Sequence, residues 1–182
     1  HIILAGGLPG APAITRAKNG GARVVCFAPT LALAKRLIRQ GADALVIEGA
    51  EAGGHVGPVA TSVLAQEILP YIADVPVFIA GGIALGNTIV AYLEMGAAGC
   101  QLGTRFVCAE ESIAHEKFKK AFIRASARDA MPSVQLDPDF PVIPVRALQN
   151  GATREFAKTQ RVVIDLFRRG ELDQTEAQLR IE

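Results

Sequence analysis

Five times in succession an apolar run ends in a glycine- or proline-bearing turn and gives way to a helical pattern, with strand starts near residues 2, 23, 44, 75 and 99. Strands that alternate with helices in this way are joined by crossovers rather than hairpins, so the pattern predicts a parallel sheet with helices packed on it. Residues 44–47, Ala-Leu-Val-Ile, carry no polar side chain at all, as expected of a strand buried on both faces.

The remaining units read in the same terms. Residues 2–5 form a strand that closes on the loop Gly6-Gly7-Leu8-Pro9-Gly10, and residues 13–19 form a short helix stopped by Gly20-Gly21. After the strand at 23–28, Thr30 is placed to cap a helix whose Leu33, Ala34, Leu37 and Ile38 share one face. Lys35, Arg36, Arg39 and Gln40 lie largely on the other face, which makes that charge run a solvated surface. Helices are expected over 62–72, 87–95 and 113–128, and strands over 75–80 and 99–102. Beyond Met131 the texture changes. Pro132, Pro138, Pro141 and Pro144 with Asp137 and Asp139 predict a surface excursion without a further βα unit, followed by a helix over 153–169 and a helical pattern over 177–182.

With 182 residues and 50% hydrophobic side chains, the chain can bury a core and reads as one domain, with βα units over 1–130 and the excursion and helical segment over 131–182. A net charge of +1 argues against a nucleic-acid or membrane-surface partner, since both attract proteins with a basic excess. No apolar run approaches the roughly 20 residues of a membrane span and no secretory signal pattern is visible, so the cytoplasm is the expected compartment. Cys26, Cys100 and Cys108 lack metal-ligand spacing, and no metal is expected; they read as reduced core thiols.

Chemistry concentrates at the carboxyl ends of the last three strands, where parallel α/β proteins bind ligands. The third strand runs into Glu48-Gly49-Ala50-Glu51-Ala52-Gly53-Gly54-His55-Val56-Gly57-Pro58, a loop with two carboxylates, one imidazole and glycines that let the backbone approach a flat or phosphorylated ligand. The competing interpretation is a glycine-rich turn with a solvated histidine. Gly81-Gly82-Ile83 and Gln101-Leu102-Gly103-Thr104 end the next two strands. Their amides, the Thr104 hydroxyl and the helix dipole after Gly86 suit a phosphate, although glycines in two tight βα turns also serve packing. Glu51 either orients His55 or accepts a hydrogen bond from a loop amide. His115, set among Glu111, Glu116 and Lys117, reads as a surface residue.

The sequence Glu51-Ala-Gly-Gly-His55-x-Gly57 resembles the signature of the nitronate monooxygenase family, FMN-dependent TIM-barrel flavoproteins that include enoyl-acyl-carrier-protein reductase II. Ala80-Gly81-Gly82-Ile83-Ala84 and Gln101-x-Gly-Thr-Arg-Phe106, followed by Glu111-Ser112 and Ala114-His115, resemble its FMN-phosphate motifs and the helix behind them. The resemblance implies a catalytic role for His55 and contacts to FMN from Glu48, Gly53, Gly54, Gly81, Gly82, Gln101, Leu102, Gly103 and Thr104. It also implies a (β/α)8 barrel, of which five strands are visible, so about three βα units are expected upstream of His1. Two departures stand out. Leu85 occupies a place where the family often has a polar helix cap, which leaves Asn87 as the expected cap. Glu48 stands where nitronate monooxygenases usually carry Gln, and both Glu48 and Val145-Arg146-Ala147-Leu148-Gln149-Asn150 are more similar to the enoyl reductases.

The activity that the resemblance implies is oxidation of alkyl nitronates with O2 to carbonyl compounds and nitrite. A protonated His55 would bind the nitro anion, and a neutral one would take the α-proton of a nitroalkane. The rival is reduction of an enoyl thioester by NAD(P)H through the same FMN, and a barrel that binds a phosphate ligand without redox chemistry is an alternative of another class. A small-molecule substrate is the expected partner, and a homodimer is admitted.

Overall fold

The protein is described by a computed structural model covering residues 1–5 and 7–181; Gly6 of the first expected loop and Glu182 of the last helical pattern lie outside the described residues. In chain order the elements are β1 (Ile2–Leu4), α1 (Ala11–Asn19), β2 (Val24–Phe27), α2 (Leu31–Arg39), β3 (Ala44–Glu48), β4 (Gly54–His55), α3 (Thr61–Ile68) and β5 (Val77–Ala80). They continue with α4 (Gly86–Glu94), β6 (Gly99–Gln101), α5 (Thr104–Val107), α6 (Glu116–Arg124), β7 (Ala130–Pro132), β8 (Val145–Leu148), α7 (Gly151–Arg168) and α8 (Gln174–Ile181). Two compact units result: residues 1–52 with 57–109, and residues 53–56 with 110–182.

The first unit holds a five-stranded sheet ordered β1-β2-β3-β5-β6, with every pairing parallel. A doubly wound sheet reverses strand order at a switch point, whereas consecutive parallel neighbours without reversal are the arrangement of a TIM-barrel wall. This is an α/β fold with five successive βα units of such a barrel.

Alternation divides the side chains. Val24, Cys26, Leu45, Ile47, Val77 and Ile79 join one buried cluster with Ile14, Ala34, Leu37, Leu64 and Ile68 from the helices. Removing each Leu or Ile from water contributes about 1.5–3 kcal/mol. The opposite face carries the row Phe27, Val46, Phe78 and Gly99, which the register places side by side. Thr30 caps α2 as expected, its side chain accepting from the Leu33 amide at 3.2 Å. Cys26 is buried, Cys100 and Cys108 are half-buried, and all three are free thiols. Burial pushes the Cys26 thiol up, with the Asp43 charge adding to it, and burial raises Cys100 as well. Among the described residues no helix is long and apolar enough to cross a membrane.

The second unit corrects the expected strandless excursion. β7 and β8 lie in that stretch and pair antiparallel, and β4 adds to the far side of β8 to give the order β4-β8-β7. These strands have two to four residues each, too short to establish a period, and Pro132 and Pro144 stand at their ends. The unit's core consists of Phe140, Val163, Ile164, Ala177 and Ile181, with the Phe140 and Phe167 rings edge to face at 5.0 Å. Asp137 anchors the proline-rich segment. It accepts from the Asp139 amide at 3.0 Å and from Arg168 Nη2 at 2.7 Å, and these partners hold its carboxyl below the usual carboxylate range. Asn150 and Thr153 form a capping box, so α7 begins at Gly151, two residues before the expected start. α6 is shorter than the expected 113–128, because His115 is its N-cap and Nδ1 accepts from the Lys117 amide at 3.1 Å.

Candidate active site

The carboxyl ends of three neighbouring strands coincide. Glu48, Ala80 and Gln101 are register partners across β3, β5 and β6, so the loops that follow leave the sheet at one level. With strands about 4.8 Å apart, that row spans about 10 Å, the width of a flat fused-ring ligand. Beneath it, Phe78 lies over Gly99; a Cβ at residue 99 would stand 3.1 Å from Phe78 Cδ1.

The loop after β3 is fastened to α3. Thr61 Oγ1 accepts from the Gly49 amide at 3.1 Å, and the Glu51 carboxylate accepts from the Thr61 amide at 2.8 Å and from its hydroxyl at 2.9 Å. An acidic group at a helix N-terminus is favoured by the dipole, and here it binds the first helical amide. Of the two roles open to Glu51, the structure supports acceptance from an amide. Thr61 was not expected from the sequence, although a hydroxyl residue in the first helical position is the signal that could have found it. Burial raises the pKa of the Tyr92 hydroxyl on α4, with the Glu51 charge and Cys100 adding to that shift.

A stability test follows from this clasp. Glu51→Ala is expected to cost about 1–2 kcal/mol by denaturant unfolding, and Thr61→Val a similar amount. The double variant should cost less than the sum, because both changes remove the bond between the Thr61 hydroxyl and the Glu51 carboxylate. Strict additivity would mean that the two side chains act independently.

The glycines after β5 serve close packing. Gly81 and Gly82 have φ of 90° and 69°, and a Cβ on either would meet the β3 loop at 3.0 Å, at the Ala52 amide nitrogen and Glu51 Cβ respectively. Gly103 differs: its φ is −97°, and a Cβ there would meet nothing within 4 Å. Neither α4 nor α5 receives a side-chain cap, so the expected Asn87 cap does not form. Asn87 lies within the first turn of a helix that starts at Gly86, past the N-cap position held by Leu85. Arg105 Nε donates to the Ala84 carbonyl at 3.0 Å and joins the two turns.

The structure thus brings Glu48, Gly81, Gly82, Gln101, Leu102, Gly103 and Thr104 to one edge of the first unit's sheet. His55 belongs with Gly53 and Gly54 to the second unit. It is exposed on β4, its backbone opposite Val145, and the Val56 amide donates to the Pro144 carbonyl at 3.0 Å. A shallow groove of about 550 Å³ on the second unit, lined by Leu136, Val162, Ile164, Arg161, Asp165 and Arg168, contains none of the motif residues. Much of its charge is engaged inside the unit, Arg168 with Asp137 and Asp165 with Arg169.

A parallel α/β sheet in barrel order, with glycine turns and uncapped helix starts gathered at its carboxyl edge, defines the class of barrel proteins that bind ligands there. A profile of the nitronate monooxygenase family matches residues 1–177, and the chain belongs to that family. Nitronate monooxygenase of Paraburkholderia phytofirmans is 38% identical over 135 residues, 67% of this chain and 36% of that protein. A hydroxy-methyl-oxo-octahydro-indene-carboxyl-CoA dehydrogenase of Rhodococcus jostii is 36% identical over 124 residues, 68% of this chain and 35% of that protein. The structure of FabK from Thermotoga maritima superposes with a TM-score of 0.77 at 30% identity, covering 97% of this chain and 61% of that one. The chain therefore spans little more than a third of these curated relatives, and membership places it among oxidoreductases.

Proposed function

We propose that this chain forms the flavin-phosphate edge and carries the acid–base histidine of an FMN-dependent oxidoreductase that converts alkyl nitronates, with O2, to carbonyl compounds and nitrite. The observation that carries the reading is the joining of the two glycine turns at the level of Ala80 and Gln101 by Arg105. The donor set fits a phosphomonoester: backbone amides at uncapped helix starts, the Thr104 hydroxyl and one guanidinium. The open space at Gly103 fits close approach of such a group. Membership in a flavoenzyme family supports flavin, and the phosphate-type donors support FMN in particular.

When bound, FMN supplies the electron acceptor. The residues of the chain do the rest. Glu48 and Gln101 offer hydrogen-bonding side chains at the sheet edge, and Gly53 and Gly54 leave the backbone beside His55 without a Cβ. His55 holds the nitro anion when protonated or takes the α-proton of a nitroalkane when neutral. The proposal makes a small molecule and O2 the partners and the cytoplasm the compartment, with the chain acting alone or as a homodimer.

A second reading, reduction of an enoyl thioester by NAD(P)H, is favoured by the similarity of Glu48 and of Val145 to Asn150 to enoyl reductases, and by a relative named for a carboxyl-CoA substrate. Nitrite release from a nitronate selects the first reading, and NADH oxidation dependent on an enoyl thioester selects the second. A colourless protein that binds phosphate ligands without either reaction would leave the non-redox barrel.

Gly103→Asp tests the phosphate edge. The side chain enters open space at an ordinary φ, so the fold should persist by circular dichroism, while the added carboxylate repels a phosphate dianion. FMN affinity is expected to fall at least about tenfold, which corresponds to one like-charge repulsion of about 1.4 kcal/mol. Unchanged flavin stoichiometry and affinity would remove Gly103 from the site.

A further inference from the structure

We propose that Arg105 is the residue by which this site distinguishes phosphorylated flavin from riboflavin; the inference rests on the FMN reading above. Over residues 81–109 Arg105 is the only Lys or Arg, and Glu94 is the only carboxylate. Among the described residues no carboxylate pairs with Arg105, whereas Arg168 and Arg169 each have one. The Glu51 carboxylate accepts from the Thr61 amide and hydroxyl. At the junction of the two glycine turns stands a positive charge without a counter-ion among the described residues.

The side chain is exposed, and one hydrogen bond orients it. Nε donates to the Ala84 carbonyl at 3.0 Å, which ties the turn after β6 to the turn after β5 and holds the guanidinium at that junction. A guanidinium has five N–H donors in a rigid fork, so four remain on the two Nη atoms after this bond. Fork geometry suits two oxygens of one phosphate, and an isoalloxazine or ribityl group offers no anion to match it. The same side chain thereby performs two separable tasks: one donor positions the turns, and the charge selects the ligand.

Lysine keeps the charge and loses the planar fork, while glutamine loses the charge and is too short to reproduce the tie. Dissociation constants for FMN and riboflavin, measured by quenching of flavin fluorescence in the apoprotein, separate these tasks. Arg105→Gln is expected to weaken FMN about tenfold or more, the scale of one charge-assisted hydrogen bond, while riboflavin changes less than about twofold. Arg105→Lys should fall between wild type and Arg105→Gln for FMN, and raising the salt concentration should weaken FMN more in wild type than in Arg105→Gln. Equal loss of both flavins in both folded variants would make Arg105 a turn-packing residue and overturn the proposal, as would an unchanged FMN affinity. Should Arg105→Gln fail to fold, the FMN-to-riboflavin ratio in Arg105→Lys decides, and a ratio equal to wild type with both affinities reduced overturns it. A wild-type protein that binds neither flavin overturns the FMN reading itself, and this inference with it.

Discussion

His55→Asn is expected to lower turnover by about 10²-fold or more while leaving flavin content and fold intact, the usual scale for losing a positioned acid or base. The fold should tolerate the change because β4 is held through the backbone, with His55 opposite Val145 and the side chain exposed. Substrate choice separates the two tasks assigned to the imidazole. A proton-abstracting His55 matters more for a neutral nitroalkane than for a preformed nitronate, which has already lost its α-proton. An anion-binding His55 instead raises KM for nitronate in the variant. Unchanged kinetics on both substrates, and on an enoyl thioester with NADH, would remove His55 from the chemistry.

Gly49→Ala is expected to be the most damaging single-methyl change in the first unit. A Cβ at residue 49 would stand 2.6 Å from the Thr61 amide nitrogen and collide with the Val59 carbonyl, both backbone atoms that cannot rotate aside. The backbone at Gly49 has no positive φ, so the effect is purely steric. Overpacking against fixed backbone costs about 3 kcal/mol or more, which for a chain of this size lowers Tm by about 10 °C. Gly57→Ala is the control, since a Cβ there meets nothing within 4 Å and should change stability by less than about 0.5 kcal/mol. Calorimetry on the two variants tests the contrast, and a Tm for Gly49→Ala within a degree of wild type would refute the steric account.

The sheet was legible because its strands obey two strong rules together. Ala44 to Ile47 could only be buried on both faces, and Gly20-Gly21, Gly41 and Gly96 punctuate the crossovers where the helices end. The small antiparallel sheet obeys neither rule. β4 has two residues, and β7 and β8 find each other across a dozen residues of proline-rich chain, a pairing that no local period announces. The same limit applies to the site. Its glycines could be read directly, but not which of them serve packing, since the close neighbours of Gly81 and Gly82 lie in the loop around residue 51. Asn87 was expected to cap a helix that in fact begins one residue before it, and the tie between Arg105 and Ala84 joins residues 21 apart in sequence.

The row of Glu48, Ala80 and Gln101 has an evolutionary consequence. The backbone register that aligns it depends on the strands and on the apolar row Phe27, Val46 and Phe78, none of which belongs to a loop. Insertions and substitutions farther out in the loops, past the packed glycines Gly49, Gly81 and Gly82, can therefore be sampled with that row left in place. Selection acting on the loops alone can then carry one inherited scaffold from one substrate to another, and relatives named for a nitronate and for a carboxyl-CoA show comparable identity to this chain.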